Sequence, residues 1–147
     1  MAIVGHIEFA VRYADVSCRF YEAALKPLGF ERIITVGRDR PDGSIRHGLG
    51  RNGRPSLWIH DGDKRQAGLH VAIEVPRPSL VDDFHRAALQ AGGADNGPPG
   101  MRLRHHAGCY TAQVLDPDGV NVEVVCRASG GGTSAASTRT ASAPSRP

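Results

Sequence analysis

The chain has 147 residues, 40% of them hydrophobic and 22% charged, which gives room for one domain with a real core and the balance of an ordinary soluble protein. Its net charge of +3 contains no basic run, and Arg139 and Arg146 contribute two of those charges from a C-terminal stretch without acidic residues. A nearly neutral body excludes a nucleic-acid-binding surface, and no apolar run approaches the ~20 residues that span a bilayer.

The first residues lack a basic leader, a long apolar segment and a cleavage signal, which predicts a cytoplasmic chain. From residue 6 to 11, Ile7, Phe9 and Val11 alternate with His6, Glu8 and Ala10, the period of a strand with one covered face. Asp15 reads as the N-cap of a helix with the stripe Val16, Phe20, Ala23 and Ala24, stopping near Pro27 and Gly29. Strands at about 31–37, 44–49 and 56–60 follow, separated by the turns Arg40-Pro41-Asp42-Gly43 and Arg51-Asn52-Gly53. The pattern then restarts with a strand over 69–75, in which Val71, Ile73 and Val75 oppose His70, Ala72 and Glu74. Ser79, with Asp82 three residues on, reads as the cap of a second helix with the stripe Leu80, Phe84, Ala87, Ala88 and Ala91, ended by Gly92-Gly93. Asn96-Gly97-Pro98-Pro99-Gly100 reads as a loop. Strands near 108–115 and 120–126 are joined by Asp116-Pro117-Asp118-Gly119, which suits a type I hairpin turn. Residues 128–147 hold no large apolar side chain and are predicted to be disordered. The three cysteines, Cys18, Cys109 and Cys126, have no metal-type spacing and read as buried or half-buried thiols.

The restart is a repeat. A shift of 64 residues lays His6-Ile7-Glu8-Phe9-Ala10-Val11 over residues 70–75, Phe20-Tyr21-Glu22-Ala23-Ala24-Leu25 over residues 84–89, and Gly29 over Gly93. The predicted fold is therefore one α+β domain, residues 1–127, made of two βαβββ units at about 1–62 and 66–127. These form a curved mixed sheet around a central cleft, with the helices on the outer face. Equivalent inner-face residues of two such sheets approach one another near the axis relating them. His6 and His70 are equivalent, and Trp58 corresponds to Glu123 after one insertion. Convergence of His6, His70 and Glu123 makes a two-histidine, one-carboxylate set, which suits Fe(II), Mn(II), Ni(II) or Zn(II) with open positions. Trp58 is either a stacking wall for an aromatic substrate or a core residue. His60, on the same face, is a displaced fourth ligand or a substrate contact, and Tyr110 is a pocket-lining hydroxyl. His105 and His106 read as surface residues near the cleft mouth, and His47 and His85 as solvent positions.

The ordered set Gly5-His6-Ile7, Phe20-Tyr21, Leu28-Gly29, Leu69-His70-Val71-Ala72 and Leu115-Asp116-Pro117-Asp118-Gly119 with Glu123 resembles the vicinal oxygen chelate superfamily over residues 3–127. That superfamily contains glyoxalase I, bleomycin-resistance-type binding proteins and extradiol dioxygenases. The resemblance implies a divalent metal in the cleft, with His6, His70 and Glu123 at ligand positions. Glyoxalase-like members often place a glutamate where this chain has Trp58, which argues against lactoylglutathione chemistry. Extradiol enzymes place a tyrosine where this chain has Gln113. The implied function is a metal-dependent lyase, isomerase or ring-cleaving dioxygenase acting on a small oxygenated molecule. The alternative is a binding or resistance protein with a metal-free cleft. Units of this kind pair within one chain or between two copies, so a homodimer is compatible with the spacing.

Overall fold

A computed structural model describes residues 3–37, 41–62, 68–103 and 108–127. The first unit runs β1 (Ile7–Val11), α1 (Ala14–Leu25), a 3-10 turn at Lys26–Leu28, β2 (Glu31–Val36), β3 (Arg46–Arg51) and β4 (Arg54–Asp61). The second runs β5 (His70–Glu74), α2 (Pro78–Gln90), β6 (Ala94–Arg102), β7 (Cys109–Leu115) and β8 (Asn121–Arg127). Each unit is a four-stranded mixed sheet, β1-β4-β3-β2 and β5-β8-β7-β6, with one parallel pair between its first and last strands. The two βαβββ units are thus the same in topology, as the repeat predicts. Among the described residues no helix is long and apolar enough to cross a membrane.

Alternation sends Phe9, Val11, Val71, Val122 and Val124 to one face of their sheets, where they join Phe20, Tyr21, Leu25, Val81 and Phe84 from the helices in one continuous core. The helices pack on their own sheets and on each other. Phe20 and Phe84 are both buried, as their equivalent places in the repeat require.

Several local readings are corrected. The α1 stripe is Ala14, Ser17, Cys18, Tyr21, Ala24 and Leu25 with Phe20, while Val16 and Ala23 face outward. Asp15 does not cap α1. The Ala14 amide donates instead to Asp61 Oδ1 at 2.7 Å, so the end of β4 supplies the carboxylate the helix N-terminus favours. Asp15 Oδ1 faces His47 Nε2 at 3.0 Å, and His47 Nδ1 lies 2.9 Å from Thr35 Oγ1. His47 is 0% exposed, so it is a core histidine tying α1 to β2 and β3, not a solvent position. His85 is half-buried against Asp95 at 3.0 Å. The second helix begins at Pro78, which suits the first helical turn, with Arg77 rather than Ser79 at the cap position and Val81 fully buried in its stripe.

Residues 96–100 are not a loop but part of β6. An edge strand tolerates Pro98 and Pro99 because its outer amides have no ladder partner, and bulges near Gly97 take up the irregular register. The tail and His105 and His106 lie outside the described residues.

Candidate functional site

Within each sheet, the face away from the helices is the inner face. In the second unit it carries His70, Ala72 and Glu74 on β5, Glu123, Val125 and Arg127 on β8, and Cys109, Thr111 and Gln113 on β7. His70 Nε2 donates to Glu123 Oε2 at 2.9 Å. Glu123 is placed by flanking Val122 and Val124, which the core holds on the opposite side of β8. Its carboxylate is largely covered, whereas nearly half of the His70 side chain is exposed. A polar row continues outward from this pair, with the Asn121 amide donating to Gln113 Oε1 at 3.1 Å.

His6 does not join these two. It precedes β1 and is exposed, in a groove of about 610 Å³ between the N-terminal segment and β5 that Val4, Ile7, Leu57, Val71 and Ile73 also line. Among the described residues no three His, Cys, Asp or Glu side chains come together as a metal group. The expected convergence is therefore met within one chain by two of its three members. The reason is topological: β1 and β5 are edge strands of separate sheets, so no ladder of hydrogen bonds sets one against the other.

In the first unit the inner face is occupied by its own charges. Glu8 Oε2 accepts from Arg46 Nη2 at 2.8 Å, Arg46 Nε lies 2.7 Å from Glu8 Oε1, and His60 Nδ1 lies 3.2 Å from the same oxygen. The Arg46 guanidinium sits 4.2 Å from the centre of the Trp58 ring. Trp58 in turn lies across Gly48, where a Cβ would come 2.9 Å from its Cη2 atom. The indole is thus covered by Arg46, and His60 faces Glu8. Sequence reading missed Glu8 and Arg46. The signal for Glu8 was present, since it alternates onto the face of His6 two residues on. Arg46 is brought there only by the β3–β4 register.

Tyr110 is on the other side of β7. Its hydroxyl donates to Asp82 Oδ1 on α2 at 2.7 Å, a bond that raises its pKa, and it does not line the inner face. The Asp116-Pro117-Asp118-Gly119 turn is structural. Asp116 Oδ1 accepts from the Asp118 and Val120 amides at 2.8 Å, and Asp116 Oδ2 accepts from the buried Tyr21 hydroxyl at 2.7 Å, joining α1 of one unit to the closing hairpin of the other. Burial pushes the Asp116 carboxyl up, against the pull of these donors, and burial followed by the Asp116 charge pushes the Tyr21 phenol well up. Burial also pushes the Cys18 thiol up to about 11, with Glu22 and Asp15 adding to it, so this buried thiol stays protonated at neutral pH.

A family model described as the Glyoxalase/Bleomycin resistance protein/Dioxygenase superfamily matches residues 3–124. No curated protein gives a significant match. Among solved structures, the chain is similar to a glyoxalase/bleomycin resistance protein from Albidiferax ferrireducens T118, at 24% identity and a TM-score of 0.71, covering 86% of this chain and 100% of that one. A glyoxylase/bleomycin resistance protein/dioxygenase domain from Frankia sp. EAN1pec matches at 20% identity and a TM-score of 0.67, covering 87% and 99%. A mutant of the genomically encoded fosfomycin resistance protein FosX from Listeria monocytogenes, complexed with Mn(II) and 1S,2S-dihydroxypropylphosphonic acid, matches at 17% identity and a TM-score of 0.61, covering 84% and 91%.

Proposed function

Because the chain belongs to the glyoxalase/bleomycin resistance protein/dioxygenase superfamily, we propose that it is a divalent-metal-dependent enzyme acting on a small oxygenated substrate. His70 and Glu123 supply two ligands, and His6 of a second copy supplies the third. The observation that carries this reading is the contact of His70 Nε2 with Glu123 Oε2 at 2.9 Å on an inner face, beside an accessible surface. One imidazole nitrogen and one carboxylate are two donors of the set that holds Fe(II), Mn(II), Ni(II) or Zn(II) with open positions. His6 is exposed at the edge of the other unit, free to meet the same pair across an interface. A second copy also suits the groove beside His6, where exposed Ile3, Val4 and Ile7 lie near β5.

A bound divalent ion supplies Lewis acidity toward adjacent substrate oxygens. The chain's own part is to hold His70 and Glu123 on a rigid parallel strand pair, β5 and β8, and to keep Glu123 largely out of water. Lyase, isomerase and ring-cleaving chemistry all use such a site.

Elemental analysis of wild type, His70→Ala and Glu123→Gln proteins, each incubated with Fe(II), Mn(II), Ni(II) or Zn(II), tests the reading. Wild type is expected to retain about one ion per chain and both variants to lose it while melting normally, since the inner face is not the core face. If wild type retains none of the four metals, the alternative takes the lead: a binding protein whose His70–Glu123 pair hydrogen-bonds its ligand directly.

A further inference from the structure

The two ladders correspond residue by residue, which makes the inner faces comparable. Glu8 stands one ladder position before Ala10, His60 and Arg46 on the first face. Ala72 stands likewise before Glu74, Val125 and Thr111 on the second. The first unit fills these places with a carboxylate, an imidazole and a guanidinium in ion-pair contact with one another, although Arg46 Nε and His60 Nδ1 are buried without a well-formed hydrogen bond. The second unit fills them with Ala72, Val125 and Thr111, and brings its cation from the neighbouring strand.

That cation is Arg102, which pairs with Cys109 across β6 and β7 and so lies on the inner face. Its guanidinium folds over two glycines, with Nη1 3.1 Å from where a Cβ of Gly100 would stand, and Nη2 donates to the Pro98 carbonyl at 3.1 Å. Among the described residues no carboxylate lies within ion-pair distance of it. Next to it Thr111 is 3% exposed, and among the described residues its Oγ1 atom is buried without a hydrogen-bond partner. Buried hydroxyls are ordinarily satisfied, so the Thr111 hydroxyl is free to donate to a group entering the pocket. Both residues line one pocket of about 190 Å³ with Ala72, Val125, Arg127 and Glu123. Arg127 is already engaged by Glu74 at 3.3 Å, which leaves Arg102 as the unmatched charge.

We propose that this pocket is a carboxylate-binding subsite for a small organic acid. The ligand's carboxylate takes the place that Glu8 fills in the first unit. It accepts from the Arg102 guanidinium and the Thr111 hydroxyl, a charge-assisted pair of the kind that fixes orientation. The ligand's carbon skeleton lies on Ala72 and Val125, and its remaining oxygens turn away from the Glu123 carboxylate's negative charge toward His70. The inference rests on the reading above of the His70–Glu123 end as the reacting end, and it narrows the substrate to oxygenated carboxylic acids. The small volume admits the acid group and a few carbons, so a bulky remainder extends into the open face.

The test uses the full chain freed of metal with a chelator and titrated with benzoate, read by calorimetry and by amide chemical shifts. Saturable binding is expected, weakened about tenfold or more in Arg102→Gln, which removes the charge but keeps a donor. Ala72→Glu is expected to weaken it as much, because the new carboxylate reproduces Glu8 and fills the site from within. Thr111→Val is expected to weaken binding about threefold while melting at or above the wild-type temperature, since it deletes an unpaired hydroxyl. Arg86→Ala, an exposed cation elsewhere that pairs with Asp83, is expected to change nothing. Metal-free protein separates this idea from the metal reading: benzoate binding without metal retention sinks only that reading, and metal retention without benzoate binding sinks only this one. Unsaturable binding, equal affinity in Arg102→Gln and Ala72→Glu to that of wild type, equal weakening by Arg86→Ala, or tighter binding of inorganic phosphate than of benzoate would each overturn the proposal.

Discussion

Asp116 is a carboxylate with three donors and little water around it. Burial raises its pKa, so the folded chain ionises it less readily than an unfolded chain would. By linkage, its contribution to stability is greatest below the ordinary carboxyl value and is lost as pH rises through the raised one. At neutral pH the fold therefore carries a charge it holds at a cost, and the Tyr21 hydroxyl offsets part of that cost. Tyr21→Phe should destabilise by about 1.5–3 kcal/mol at neutral pH, the range for a hydrogen bond to a charged group. The loss should shrink in acid, where Asp116 is protonated. Asp116→Asn keeps an acceptor for the two turn amides and should flatten stability between acid and neutral pH. Urea unfolding of all three proteins across that range checks the prediction. A Tyr21→Phe cost independent of pH would show that Asp116 is not the group involved.

The secondary-structure elements are held mainly by what packs across them, not by their caps. Neither α1 nor α2 has a side-chain cap of its own, and α1 borrows Asp61 from the end of β4. Phe20 and Phe84 do the packing at equivalent places. Phe20 reaches beyond its own unit: a Cβ on Gly93 would stand 2.9 Å from its Cε2 atom and 2.5 Å from Val114 Cγ1, so only glycine lets the chain leave α2 at this point. Phe20→Ala and Phe84→Ala should each lower stability by about 3–5 kcal/mol, measured by chemical unfolding. An effect under about 1 kcal/mol for either would mean that its helix collapses to fill the gap. Gly48 plays a matching part on the inner face, where it makes room for Trp58 beneath Arg46.

At the scale of the molecule, the units share a core through their helices and leave two inner faces with different chemistry. One holds Glu8, Arg46 and His60 in ion-pair contact, and the other presents His70, Glu123 and an Arg102 that has no ion-pair partner among the described residues. If His6 of one copy completes the site of another, chains carrying His6→Ala and Glu123→Gln, each unable to hold metal alone, should complement each other. A mixed dimer has one site with both defects and one with neither. Mixing the two variants under conditions of subunit exchange should restore about one quarter of wild-type metal retention, measured by elemental analysis after desalting. No recovery in mixtures shown to exchange by mass spectrometry would place all ligands in one chain.

How much of this was legible beforehand depends on the range over which each feature is encoded. Local periodicity and the 64-residue repeat carry the α+β class, the two βαβββ units and the burial of Phe20 and Phe84, because strand alternation and helix stripes are properties of neighbouring residues. The same alternation put Glu123 and His70 on one face, and the structure brings them to 2.9 Å. Features that depend on partners distant in the chain were not legible. His47 is a core residue only because Asp15 and Thr35 flank it, Tyr110 turns to Asp82, and β6 is a strand despite its prolines because it lies at an edge. Arg46 reaches Glu8 through the β3–β4 register, and only the packed sheet shows that the Thr111 hydroxyl has no hydrogen-bond partner among the described residues. Side-chain type and spacing therefore determined most of the elements and the faces of β1, β5 and β8. Only the tertiary structure decided which charges are already paired and which pocket is left with a donor to spare, since pairing is a property of contacts made across the sheet.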